Sequence, residues 1–327
     1  MKPPSLTSRV PTPSGLYSTE VLLGGWTATD PLSYAQTLDA RTFRDAVVDG
    51  LRVPRTGEVA RERALHDYTI TRALTERIGE RCVVAFMGGH GLDRSGDTAS
   101  PYALVAEIAW RLAALDFLVV SGGGPGAMEA AHLGARMAGR SGDDLAAALQ
   151  VISSCPTFPH YTQNELLPPD GTFDEQTLTR VHAWQVPAFE VAGRWSEGGE
   201  IRSIGVPTWL YGQEPPTPLA SAHAKYFENS IREDGLLAIA EAGVVYAEGS
   251  AGTLQEVFQD AAQNYYSSVD GTRSPMVFLD IDEFWSVRRP VRLLLEGLFD
   301  DETEKLLHFV VTADDAVAAI TGQSVVH

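Results

Sequence analysis

The chain has 327 residues, 44% of them hydrophobic, enough to bury a core as one large domain or a domain with embellishments. A formal net charge of −18 and a pI near 4.8 repel nucleic acid and anionic membrane, which excludes a general polyanion-binding role. A small phosphorylated ligand stays open, because backbone N–H groups at a helix start hold an anion against the global field.

Residues 1–57, punctuated by Pro3, Pro4, Pro11, Pro13, Gly24, Gly25 and Pro31, read as an N-terminal arm with short elements. Apolar spacing predicts a helix over 58–80. "CVVAFMGG" (82–89) and "FLVVSGGG" (117–124) are apolar runs ending in glycines, as buried strands do. Each is followed by a predicted helix, over 102–115 and 126–139. "AAALQVISS" (146–154) reads as a third strand. The stretch 155–200, rich in Pro, Thr, Asp and Gly, reads as an irregular insertion near the site. The stretch 201–212 reads as another strand, 219–242 as a helix, 243–249 as a strand and 252–266 as a helix. Four further segments, from 275 to 322, complete the alternation. Alternating strands and helices predict a doubly wound, Rossmann-like parallel sheet with helices on both faces, occupying residues 58–327.

The remaining features narrow the class. Two cysteines, Cys82 and Cys155, define neither a disulfide framework nor a zinc site, and Cys82 in its apolar run is expected to be buried. The eight histidines show no H-x-x-x-H spacing, so no metal site is expected. No apolar stretch approaches the roughly 18 residues of a membrane span. The proline-rich start lacks the apolar core of a signal peptide. A soluble, cytoplasmic protein is expected.

In such a sheet, ligands sit beyond the carboxyl ends of the strands. Three glycine-containing loops fall there: Gly88–Gly89; Gly122, Gly123, Gly124 and Gly126; and Gly249, Ser250 and Gly252. The second lacks G-x-G-x-x-G spacing, which argues against a dinucleotide site and a dehydrogenase. It reads either as an anion-binding helix start or as a tight turn that binds nothing. "GTLQE" admits two readings as well. Thr253 and Glu256 fit a T-x-x-E capping box, or Glu256 faces a ligand at the strand ends. Arg232, four residues after Glu228, fits an ordinary surface ion pair.

Taken together, the two later loops resemble the LOG family, the cytokinin-activating phosphoribohydrolases, and the related nucleotide 5′-monophosphate nucleosidases. Gly122, Gly123, Gly124, Pro125, Gly126 and Met128 resemble the family's first glycine motif. Gly249, Gly252, Thr253 and Glu256 match P-G-G-x-G-T-x-x-E, with Glu248 in place of the proline and Ser250 in place of the second glycine. Arg232 takes the position of the family's catalytic arginine, with Glu233 replacing the lysine beside it. "EPPTPL" (214–219) resembles a run in the longer nucleosidases. The resemblance implies hydrolysis of the N-glycosidic bond of a nucleoside 5′-monophosphate such as AMP, releasing free base and ribose 5-phosphate. It implies Glu256 and Arg232 as catalytic residues. Gly88, Gly89, Gly122, Gly123, Gly124, Gly126, Met128, Gly249, Ser250, Gly252 and Thr253 would hold nucleotide. It requires no cofactor, and it implies a homodimer. The altered positions Glu248, Ser250 and Glu233 leave an alternative: a nucleotide-binding sensor or carrier of the same fold without turnover.

Overall fold

The computed structural model describes residues 10–266 and 273–322; residues 1–9 of the predicted arm lie outside them. The helices α1 (Thr19–Leu22), α2 (Leu38–Val48) and α3 (Gly57–Ile78) precede the first strand, β1 (Val83–Met87). Next come α4 (Pro101–Ala114), β2 (Leu118–Ser121), α5 (Ala127–Arg136), α6 (Gly142–Ile152), α7 (Gln163–Leu166) and α8 (Glu175–Arg194). They are followed by β3 (Ser203–Gly205), β4 (Ala222–His223), α9 (Asn229–Ala238), β5 (Gly243–Tyr246) and α10 (Ala251–Tyr266). The chain ends through β6 (Met276–Leu279), α11 (Val291–Leu298), β7 (Leu307–Val310) and α12 (Ala313–Thr321).

Among the described residues seven strands form one parallel sheet, in the order β4-β3-β2-β1-β5-β6-β7. The chain lays β1 to β4 outward on one side, returns to the other flank of β1 with β5, and continues to β7. This is a doubly wound α/β sheet whose order reverses between β1 and β5. Both faces are covered. Val83, Ala85 and Met87 pack into one layer with residues of α3, α9 and α10. Val84 and Phe86 pack into the other with α4, α5 and α12. Burial on both sides is why these strands are continuous apolar runs without polar alternation.

Four expectations are corrected. Residues 146–152 are the end of α6, not a strand: Ser141 and Asp144 form a capping box upstream, and Leu145, Ala148, Leu149 and Ile152 bury one helical face. The 155–200 stretch is not irregular, since α8 fills 20 residues of it. Asp174 caps that helix, and Leu178, Val181, Trp184, Ala188 and Val191 line its buried side despite Pro187. Of 219–242 only Asn229–Ala238 is helical, and Ala222–His223 is an edge strand. Cys82 is exposed, because the strand proper begins one residue later. Between β6 and α11 a π-helical turn spans Phe284–Arg288.

The N-terminal segment is fastened to the sheet. Tyr17 and His223 exchange backbone hydrogen bonds of 2.9 and 2.8 Å at the β4 edge. Asp39 accepts from Lys225 Nζ at 2.5 Å and Trp209 Nε1 at 3.2 Å through one oxygen, and from the Tyr34 hydroxyl at 2.7 Å through the other. Among the described residues no helix is long and apolar enough to cross a membrane.

Candidate functional site

The three glycine loops meet at the reversal of strand order. The Gly89 N–H donates to the Glu248 carbonyl at 2.8 Å, and the Ala127 N–H to the Gly89 carbonyl at 3.2 Å. A Cβ on Gly88 would stand 2.6 Å from that of Ala127 and 3.0 Å from that of Ala247, so the loops are as close as backbone allows. Gly126 has φ +71°, and a side chain there would also strike the Gly89 and His90 carbonyls. Gly122, Gly123, Gly124 and Gly126 are buried, whereas Gly88, Gly89, Gly249, Ser250 and Gly252 retain exposure. Met128 packs its sulfur and methyl group against Gly122 and Gly124. Thr253 is buried directly under Gly249. A cavity of ≈ 290 Å³ opens between the β1 and β5 loops, lined by Gly89, His90, Glu248, Gly249, Ser250 and Phe284 among others.

Glu256 does not close a capping box. Helix α10 begins at Ala251, and the Leu254 N–H bonds the Ser250 carbonyl at 3.0 Å. Thr253 therefore lies inside the first turn and Glu256 in the second. Nor is Arg232 a surface residue paired with Glu228. It is only 8% exposed, and Glu228 instead accepts from the backbone and hydroxyl of Ser230 at the start of α9. The Arg232 Nε–H donates to the Val206 carbonyl at 2.7 Å. Its Nη2 lies where a Cβ on Gly122 would be, so glycine at 122 makes room for the guanidinium.

Arg232 and Glu256 share one electrostatic environment. Burial pushes the half-buried Glu256 carboxyl up to about 7, Arg232 pulls it down and Glu233 pushes it up. Glu233 is occupied in joining the two helices. It accepts from Asn229 at 2.6 Å within α9 and from Gln255 of α10 at 3.1 Å, and lies 3.9 Å from Arg232 Nη1. Glu248 is raised by burial and opposed by Arg288, 3.8 Å away.

Several residues in this region were not singled out by sequence reasoning. Glu214 is one, although its run drew notice as a resemblance. Burial raises its carboxyl, while His90, Arg232 and Lys225 pull it down. His90 is another, 3.5 Å from Glu214. Glu129, one residue beyond Met128, is fully buried and accepts both guanidinium bonds of Arg94, at 2.7 and 2.9 Å. It also accepts from Tyr102 at 3.0 Å and Thr217 at 3.4 Å. Arg94 in turn donates to the Trp184 carbonyl at 2.7 Å and lies 3.7 Å from the centroid of that ring. Phe158 and Tyr161 of the insertion extend this wall; the Tyr161 hydroxyl bonds the Gln213 carbonyl. The one local signal was a glutamate beside the glycine motif.

No protein-family model matches the sequence, and no curated protein matches it. The fold is similar to that of solved structures. One is the molybdenum cofactor binding protein from the phototrophic bacterium Rippkaea orientalis, at 12% identity and TM-score 0.40, covering 74% of this chain and 96% of that one. A second is the molybdenum cofactor carrier protein from Chlamydomonas reinhardtii, at 14% identity and TM-score 0.38, covering 74% and 97%. A third is the structural-genomics target TM1055, at 18% identity and TM-score 0.41, covering 73% and 98%.

Proposed function

We propose that this chain is a LOG-like phosphoribohydrolase, cleaving the N-glycosidic bond of a nucleoside 5′-monophosphate to free base and ribose 5-phosphate. The observation that carries the reading is the buried Arg232 guanidinium set against Gly122, with Glu256 within reach of its charge and pushed by burial up to about 7. Breaking this bond builds positive charge on the ribose. A carboxylate beside the sugar offsets that charge and takes a proton from the attacking water, and a value near neutrality suits that exchange. Arg232, held at Nε by Val206, keeps its Nη groups for phosphate or ribose oxygens. The backbone of the glycine loops, with Gly252 and Thr253, serves the 5′-phosphate.

The test is a screen of AMP, GMP, CMP and UMP for ribose 5-phosphate release by purified protein. Release from at least one is expected. The same reading predicts that AMP raises the melting temperature well above the effect of adenosine, because phosphate anchors the ligand. Equal shifts would remove phosphate from the site. It also predicts a homodimer paired through helices next to the site, which a monomer mass by light scattering would exclude.

A second reading has a specific observation in its favour. Glu233 and Glu248 bring two carboxylates to positions where the related motif has lysine and proline, and Glu233 is engaged by Asn229 and Gln255. A nucleotide sensor or carrier would bind several of the four nucleotides and release ribose 5-phosphate from none.

A further inference from the structure

Hydrolysis of an N-glycosidic bond needs more than a carboxylate at the sugar. The base departs with the electron pair of the C1′–N bond, and without a proton it leaves as a poor anionic group. Arg232 stays protonated at working pH, and Glu256 is already assigned to the attacking water, so neither gives the base a proton. Resting on the hydrolase reading above, we propose that His90, oriented by Glu214, is the acid that protonates the departing base.

His90 stands between Gly89 and Gly91, directly after β1, and lines the ≈ 290 Å³ cavity opposite Glu248, Gly249 and Ser250. Its ring is 45% exposed, so it reaches a ligand in that crevice, and its Nδ1 lies 3.5 Å from Glu214 Oε1. The other Glu214 oxygen is 3.6 Å from where a Cβ on Gly124 would stand. The backbone of Glu214 is pinned: its N–H donates to the Tyr211 carbonyl at 2.8 Å, and the preceding Gln213 carbonyl receives the Tyr161 hydroxyl. Glu214 is also the more buried partner, at 23% exposure. This is not a pair of long side chains meeting in solvent. In the acid role His90 carries a proton on both ring nitrogens, Nδ1–H on the side of Glu214 and Nε2–H toward the crevice. Glu214 thus lies against Gly124 as Arg232 lies against Gly122, on the same glycine loop.

The step balances without a further reactant. The C1′–N bond breaks and its electron pair goes to the base nitrogen, which takes the Nε2 proton of His90. Water forms the new C1′–O bond and gives its proton to Glu256. The products are neutral base and ribose 5-phosphate. Solvent then returns a proton to His90 and removes one from Glu256. In these roles His90 is catalytic and Glu214 a positioning residue.

The experiment compares His90→Gln with wild type on two substrates. One is whichever of AMP, GMP, CMP and UMP the wild type hydrolyses; the other is p-nitrophenyl riboside 5-phosphate, whose leaving group departs without a proton. On the nucleotide, kcat should fall about 10²- to 10⁴-fold, the span of general acid catalysis, with KM little changed. On the activated substrate, kcat should stay near that of wild type. Glu214→Gln, which keeps an acceptor toward His90, should retain more nucleotide activity than Glu214→Ala. Both should spare the activated substrate. Equal loss on the two substrates, or no loss on either, overturns the role of His90 and leaves the hydrolase reading standing. A wild type inactive on all substrates overturns both.

Discussion

Glu256 is placed where folding and chemistry make opposite demands. Burial favours its neutral form, and Arg232 favours its charged form. Glu256→Gln removes the charge at nearly constant shape, and helix α10 starts at Ala251 without its help. We expect base release to fall about 10²- to 10³-fold, the usual cost of one lost electrostatic contact in a transition state, with AMP binding retained by calorimetry. The stability effect has the opposite sign. The folded Glu256 value is raised above its ordinary 4.5, so its contribution is full below that value and lost as pH rises through about 7. At pH 8 the glutamine variant should therefore melt higher than wild type. A variant that hydrolyses nucleotide at the wild-type rate would remove Glu256 from the chemistry. Arg232→Lys should also impair turnover, since lysine keeps the charge and loses the planar fork that reaches Val206 while facing ligand.

At the scale of elements, legibility followed length and burial. The apolar runs of β1, β2, β5, β6 and β7 were readable because each has at least four residues and, except at the β7 edge, is fully buried. β3 fell inside the predicted strand at 201–212 but keeps only three of its residues, and β4, with two, is too short to carry a pattern and exists because neighbouring backbone pairs with it. Helix α8 was hidden by Pro187, and α6 by an alanine-rich run that suits either period. The glycine loops were legible because backbone crowding admits no other residue at positions such as 126. His90 and Glu214 were not, since only the folded sheet brings the loop after β1 to the run before β4. The Arg94–Glu129 pair shows the same long reach, joining the loop after β1, α5 and α8. Arg94→Ala would leave the Glu129 carboxylate buried with only Tyr102 and Thr217 as donors. We expect a loss of about 3–5 kcal/mol by denaturant titration, as for other buried pairs broken on one side. A loss within the ±0.5 kcal/mol typical of surface substitutions would show that the network does not hold the wall of the site.

Over the whole molecule, buried titratable groups act in opposite directions. His132 and His223 are pushed by burial down to about 3. Their contribution is full above pH 6.5 and is lost as pH falls toward 3. Asp260, raised by burial to about 7 despite the Tyr246 hydroxyl bond at 2.8 Å, behaves like Glu256 and loses its contribution as pH rises. Each such group changes stability by about 1.4 kcal/mol per pH unit inside its window. Between about pH 4.5 and 6.5 these two histidines and two carboxyls pull stability in opposite directions. Asp260→Asn removes one of the carboxyls. Its melting temperature should exceed that of wild type at pH 8, with the difference vanishing near pH 4. A constant difference across that range would mean that Asp260 does not titrate between the folded and unfolded states.

The position of β1 has a consequence for synthesis. Val84 pairs with Val119 on one flank and with Gly243 on the other, so one wing of the sheet leaves the ribosome long before the strand that completes its centre. A nascent chain that has reached α9 already holds the loop at Gly122 and the arginine at 232, but no glutamate at 256. If the chain is the hydrolase proposed above, termination anywhere before α10 leaves a wing without Glu256 and without turnover. Until β5 docks, β1 presents an unpaired apolar edge. Unpaired strand edges of this kind are what make partly synthesised sheets prone to aggregate.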